Sequence, residues 1–301
     1  MRHAGSPGGS RRPVPSPLVI ASRKRTAIRL IPALAAVAMC VSASAGAVEG
    51  RPIELDRHVV SRAVKGPVHV LVELPPGYET SGLRYPVVYF LHGLPAGPAS
   101  YLGNRWLARV LTTVGPAILV EPQGARAGDS DPEYLDHGPG RKWATFVSEE
   151  VPEYVDSHYR TIRSRDGRAL IGLSAGGYGA AMLGLNNLDR YSVVESWSGY
   201  FHPTDPTGTK AIAGGPGSNV HALISTLRQD ERRRPTFLAF YVGRNDARFR
   251  AENEKFAREL SDAGIPRVFA VYDGAHSASL WQAHAAHWLE LALDHLEQPT
   301  R

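Results

Sequence analysis

Gly172-Leu173-Ser174-Ala175-Gly176 places a serine between glycines in a G-x-S-x-G pattern. A serine hydroxyl is a weak nucleophile, so acyl chemistry at this position needs a base to take its proton and a carboxylate to hold that base. Downstream stand His202, His221, His276, His284, His287 and His295. His276 lies in Asp273-Gly274-Ala275-His276-Ser277, directly after an apolar run at 268–272, where an imidazole can reach back over a sheet end. His284, His287 and His295 fall in a helical pattern and read as surface or packing residues. For the acid, Asp246 in Gly243-Arg244-Asn245-Asp246 follows the preceding apolar run, giving the chain order nucleophile, acid, base. Asp273 is the alternative acid, but it is three residues from His276 on one loop and less suited to face that ring.

Acyl transfer also develops negative charge on the former carbonyl oxygen, which fixed N–H donors must meet. The backbone N–H of Ala175, next after the serine, is one candidate. The N–H of Leu94, in the loop His92-Gly93-Leu94 after the run 87–91, is the other. His92 reads as a hydrogen-bonding residue of that loop, at the edge of a substrate pocket for which Tyr134 and Trp143 are further candidates. Asp129, Asp131 and Asp136 lack the glycine and distal glutamate of a known calcium loop and read as a solvated turn, so no metal and no other cofactor is expected.

The serine must sit where a strand turns sharply into a helix, with glycines letting the two approach. The surrounding pattern supplies those elements. Apolar runs at 68–74, 87–91, 117–120, 169–173, 237–242 and 268–272 suit strands buried on both faces. Between them, helical patterns run over 101–114, 145–158, 178–187, 219–229, 248–263 and 280–296, and 53–60 pairs antiparallel at an edge. This alternation predicts an α/β fold with a mostly parallel sheet covered by helices. With 301 residues, 43% of them apolar, the chain has ample material for such a core.

The formal charge of +5 is misleading about partners. Residues 1–47 hold seven of the 34 Lys and Arg side chains and none of the 29 carboxylates, so the rest is slightly acidic and no nucleic-acid partner is expected. Those residues read as an export signal: the basic run Arg23-Lys24-Arg25, a mostly apolar stretch over 28–41, then Ser42-Ala43-Ser44-Ala45-Gly46-Ala47 with overlapping cleavage sites after Ala45 and Ala47. The apolar stretch is shorter than the ~20 residues of a bilayer span, so no stable membrane insertion is expected after cleavage. The single cysteine, Cys40, lies inside this segment, and Met39 before it is unlike a lipoprotein site. The expected organisation is therefore an export signal and unstructured N-terminus over 1–47 and one catalytic domain over 48–301, secreted and free of disulfides.

Leu91-His92-Gly93, Lys142-Trp143-Ala144-Thr145-Phe146 leading into Glu149-Glu150-Val151-Pro152, Gly172-Leu173-Ser174-Ala175-Gly176-Gly177, Gly243-Arg244-Asn245-Asp246, and His276 followed by Trp281 together resemble the esterase D family. Its relatives include S-formylglutathione hydrolases, feruloyl and acetyl-xylan-type esterases and mycobacterial mycolyltransferases. The resemblance spans residues 68–296 and implies an α/β-hydrolase fold without a large cap domain, with Ser174, Asp246 and His276 on the catalytic positions. Two departures concern the substrate: the last loop reads Gly-Ala-His-Ser instead of a His followed by Asp-Trp, and the loop 127–141 matches no pattern.

The sequence thus points to a secreted serine esterase acting on small-molecule or glycan-linked esters through an acyl-enzyme. An extracellular acyltransferase that moves the acyl group to a sugar hydroxyl is the alternative, and a non-catalytic surface-binding protein is a third. A transferase must shield its acyl-enzyme from water. The charged, glycine-rich loop 127–141 is expected to rim the site and keep it wet, favouring hydrolysis of short or aromatic acyl groups.

Overall fold

A computed structural model of the chain describes residues 51–129, 133–205 and 210–301; residues 1–47, which read as an export signal, lie outside them, as does Asp131. Eight strands build one sheet: β1 (Ile53–Ser61), β2 (Gly66–Leu74), β3 (Val87–Leu91), β4 (Ile118–Pro122), β5 (Arg168–Leu173), β6 (Val193–Trp197), β7 (Phe237–Gly243) and β8 (Val268–Tyr272). Their order is β1-β2-β4-β3-β5-β6-β7-β8, antiparallel across β1, β2 and β4 and parallel from β4 to β8.

Helices connect the strands: α1 (Tyr78–Ser81), α2 (Trp106–Val114), α3 (Trp143–Thr145), a π-turn at Phe146–Glu150, α4 (Val151–His158), α5 (Ala175–Asn186), α6 (Val220–Arg233), α7 (Arg250–Asp262) and α8 (Ala278–Asp294). Alternate residues of the central strands feed two cores. Tyr89, Leu91, Val120, Leu170, Val194 and Phe240 face α5 and α7, whereas Val88, Phe90, Ile171, Val193 and Tyr241 pack on α2 and α8. Two-sided burial is why these strands read as unbroken apolar runs. β1 is the contrast, alternating exposed and half-buried residues as the sheet's edge, paired with β2 from Ile53 opposite Leu74 to Ser61 opposite Gly66. None of the helices among the described residues is long and apolar enough to cross a membrane.

One strand escapes the apolar-run reading. β6 carries Glu195 and Ser196 at its centre, yet both are fully buried. Glu195 accepts a hydrogen bond from Trp197 Nε1 at 2.9 Å, and burial pushes its carboxyl well above the ordinary range, so it sits in the sheet as a neutral acid.

Helix α5 is buried over nearly its whole circumference, from Ala175 to Leu185, which explains its lack of an amphipathic pattern. Its small residues allow the backbone to press on β5. A Cβ on Gly172 would fall 2.2 Å from the Gly176 carbonyl oxygen, and one on Gly176 would fall 2.0 Å from that of Leu91. Only glycine allows this strand-to-helix corner to close.

Candidate active site

Ser174 occupies that corner with φ 55° and ψ −121°, a positive φ that L-residues seldom adopt. The conformation is held on both sides, by Ser174 N donating to Trp197 O at 2.9 Å and Tyr178 N donating to Ser174 O at 3.1 Å. It lifts the hydroxyl off the carboxyl end of β5, where open α/β sheets form their crevices.

The loops after β7 and β8 meet the hydroxyl there. His276 Nε2 lies 2.8 Å from Ser174 Oγ, and His276 Nδ1 lies 2.7 Å from Asp246 Oδ2. The carboxylate accepts a hydrogen bond from Nδ1–H and leaves the Nε2 lone pair for the serine hydroxyl, the tautomer a general base requires. Asp246 is 2% exposed. Burial alone pushes its carboxyl up, but the His276 hydrogen bond and charge, together with the Phe249 and Arg248 N–H groups, hold it below the ordinary carboxylate value. Both backbone groups donate to Asp246 Oδ1 at 3.2 Å. Asp273, the alternative acid, has a side chain 90% exposed and paired with Arg244 Nε at 2.7 Å, away from the imidazole.

The proposed oxyanion donors lie on the two segments that flank the hydroxyl. Ala175 is the first residue of α5, whose N–H points out of the helix end. The His92-Gly93-Leu94 loop passes so close that a Cβ on Gly93 would sit 3.1 Å from Ser174 Cβ and 2.9 Å from Leu173 Cδ1. Leu94 itself lines the cleft.

That cleft encloses about 580 Å³ and is walled by Leu94, Pro95, Ala96, Tyr200, Phe249 and Trp281, with Arg248 and Ser277 among the polar residues lining it. Aromatic rings surround His276: Phe249 and Trp281 each stand edge to face with its imidazole, at centroid distances of 5.2 Å. Tyr200 stacks on Phe249 at 4.7 Å. Tyr200, Arg248 and Phe249 were not apparent as site residues in the sequence. Tyr200 follows the unrecognised strand β6, and Arg248 and Phe249 follow Asp246 closely in a segment that reads as the start of a helix.

The three pocket candidates stand elsewhere. His92, Tyr134 and Trp143 are all buried and none of them lines the cleft. Trp143 packs edge to face with Phe146 in the core, and Tyr134 donates from its hydroxyl to His92 O at 2.8 Å. His92 Nδ1 lies 2.9 Å from Gly93 O, and burial drives its imidazole down to about 4, so it is a neutral brace for the loop. Here these aromatic rings and this histidine are buried in the fold instead of lining the cleft.

The loop 127–141 also departs from expectation, since none of its described residues lines the cleft. Glu133 is 2% exposed and accepts hydrogen bonds from Tyr200 Oη, Thr204 N and Thr204 Oγ1. The loop therefore braces a cleft wall from behind. Asp129 accepts from Arg126 N, and Asp136 from Thr145 N and Oγ1.

A family profile described as "Putative esterase" matches residues 61–287. Esterase Rv1288 of Mycobacterium tuberculosis strain H37Rv is 30% identical over 237 residues, covering 69% of this chain and 52% of that protein. The chain thus spans about half the length of the curated relatives it matches. Among solved structures, a ferulic acid esterase superposes with a TM-score of 0.69 at 23% identity, covering 82% of this chain and 98% of the other. S-formylglutathione hydrolase from Staphylococcus aureus gives 0.66 at 19% identity, covering 80% and 100%. These likenesses show the α/β-hydrolase fold.

Proposed function

The chain belongs to this esterase family, and from that premise we propose that it is a serine esterase that hydrolyses carboxylic esters through an acyl-enzyme. The observation that carries the reading is the continuous hydrogen-bonded chain Ser174 Oγ, His276, Asp246 at the floor of the cleft. His276 Nε2 takes the hydroxyl proton as Ser174 Oγ attacks the ester carbonyl. The tetrahedral oxyanion is met by the N–H groups of Ala175 and Leu94. Nε2 then gives the proton to the departing alkoxide, leaving an ester on Ser174, and the same residues activate water to release the acid. Asp246 keeps the ring oriented and balances the imidazolium charge.

The substrate reading follows from the cleft. Its volume is of the order that holds one small organic molecule. Its walls of Tyr200, Phe249 and Trp281 suit a short or aromatic acyl group. Exposed Arg248 and half-buried Ser277 leave the rim polar and open to water, which favours hydrolysis over transfer to a sugar. The export-signal pattern and a mature chain without cysteine support action outside the cell.

A panel of p-nitrophenyl esters of graded chain length, with a feruloyl ester beside it, tests the reading. Turnover is expected to be best on acetyl to butyryl or on aromatic acyl groups, and none on any ester would overturn it. Adding trehalose or glycerol tests the acceptor: free acid should dominate, whereas mainly acylated sugar at millimolar acceptor would establish a transferase.

A further inference from the structure

Apart from the Ser174 chain, two histidines and two carboxylates converge from three parts of the fold. His202 follows β6, His221 lies in the first turn of α6, and Glu252 and Glu259 project from α7. His202 Nδ1 is 2.6 Å from Glu252 Oε1, and His221 Nε2 is 3.4 Å from the same oxygen. One ligand atom from each of His202, His221 and Glu252 can be chosen so that all lie within 4.8 Å of one another. The other ring nitrogen of His221, Nδ1, is hydrogen-bonded to Glu259 Oε2.

That last contact decides the chemistry. A carboxylate on Nδ1 makes that nitrogen the donor and turns the Nε2 lone pair toward the Glu252 oxygen. Nε2 and Oε1 then face each other across 3.4 Å, where either a ring proton or a metal ion can bridge them, and Oε1 also accepts from Phe201 N at 2.9 Å. A histidine whose far nitrogen donates to a carboxylate is also the usual form of a metal-bound imidazole. The side chains of His202, His221 and Glu252 are 33%, 14% and 14% exposed, so the cluster is sheltered yet reachable from solvent.

We propose that His202 Nδ1, His221 Nε2 and Glu252 Oε1 bind a divalent ion of the zinc class, with Glu259 orienting His221. Ligand atoms about 2.0–2.2 Å from a tetrahedral ion stand about 3.4 Å from one another. The His221–Glu252 separation already has that value, and the 2.6 Å between His202 Nδ1 and Glu252 Oε1 would have to open by about 0.8 Å. The fourth position falls to water. Two imidazoles and one carboxylate favour zinc or cobalt over magnesium or calcium.

The ion is a staple. It ties both ends of the connection between β6 and α6 to α7. Tyr200 and Phe249, close in sequence to the ligands His202 and Glu252, are walls of the catalytic cleft. Metal loading would therefore firm that wall without touching the reacting atoms.

The test uses the full mature protein, free of any histidine tag and dialysed against chelator. Zinc should bind at one ion per chain in calorimetry and raise Tm by several degrees, whereas magnesium and calcium should leave Tm unchanged. Cobalt should give the visible absorption of a tetrahedral site. His202→Gln and His221→Gln should each weaken zinc binding by about 100-fold and Glu259→Gln by about 10-fold, with folding followed by circular dichroism. Should His221→Gln fail to fold, His202→Gln, at a more exposed ring, decides the matter. No stoichiometric zinc binding by the folded wild type, or unchanged affinity in folded His202→Gln, would overturn the proposal.

Discussion

Neighbouring strands β6 and β7 each lead to a buried carboxyl group, and the two hold their protons differently. Glu195, inside β6, has one neutral donor, the indole N–H of Trp197, and burial keeps it protonated. Asp246, three residues beyond the end of β7, is buried almost as completely, but it receives His276 and two backbone N–H groups and stays ionised. Two histidines at the same end of the sheet differ in the same way: His92 is pinned to Gly93 O and pushed down to about 4 by burial, while His276 has a carboxylate on one nitrogen and a hydroxyl on the other. Burial alone makes a neutral structural group. Burial together with oriented, complementary partners makes a reactive one.

The largest effects should come from the reactive region. Ser174→Ala and His276→Ala should each lower kcat/KM on a p-nitrophenyl ester by about 10³-fold or more, with the circular dichroism spectrum unchanged. Asp246→Asn should also cost heavily, though less than either, because the imidazole remains but is held in the wrong tautomer without its orienting carboxylate. Asp273→Asn should stay near wild type. The assignment of the acid fails if Asp273→Asn cripples a folded enzyme and Asp246→Asn does not.

A smaller effect separates the two kinds of carboxyl by pH. Glu73 and Glu121 face each other from β2 and β4, and burial raises both, Glu73 to about 7. Above its ordinary value of 4.5 the unfolded chain releases a proton that folded Glu73 keeps, so its contribution to stability declines as pH rises from 4.5 toward 7. Asp246 runs the other way: its folded value is depressed, so its contribution is present above 3.8 and fades as pH falls. Tm measured across pH 4.5 to 7 should therefore fall more steeply in the wild type than in Glu73→Gln, and parallel curves would contradict the buried neutral acid.

The smallest effect is expected at Glu195. Because that carboxyl is already neutral, Glu195→Gln keeps its shape and an acceptor for Trp197, and it should change activity by no more than about twofold and stability by about 1 kcal/mol. A tenfold loss of kcat in that variant would mean that the β6 carboxyl takes part in the reaction.

The reactive region was the more legible of the two in sequence, for a physical reason. A strand-to-helix corner as tight as that at Gly172 and Gly176 admits no other residue, and the acid and base must follow strand ends in order, so local sequence carries the constraint. β6 escapes the apolar-run reading because Glu195 and Ser196 interrupt it, and only the structure shows that Trp197 Nε1 meets one oxygen of the buried acid. Tyr134 and Trp143 are aromatic whether they line a cleft or fill a core, and which they do depends on the elements packed over them. The His202, His221 and Glu252 cluster has no spacing signature, since its members come from a loop and two helices.

In the proposed reaction Ser174 is the nucleophile, activated by His276. The most direct measurement is labelling of the folded protein with a fluorophosphonate ester, read by intact mass and peptide mapping at a series of times. One phosphonyl group per chain is expected, on Ser174, with labelling abolished in Ser174→Ala and slowed by orders of magnitude in His276→Ala. Labelling on another residue, or ester hydrolysis that persists undiminished in Ser174→Ala, would contradict it.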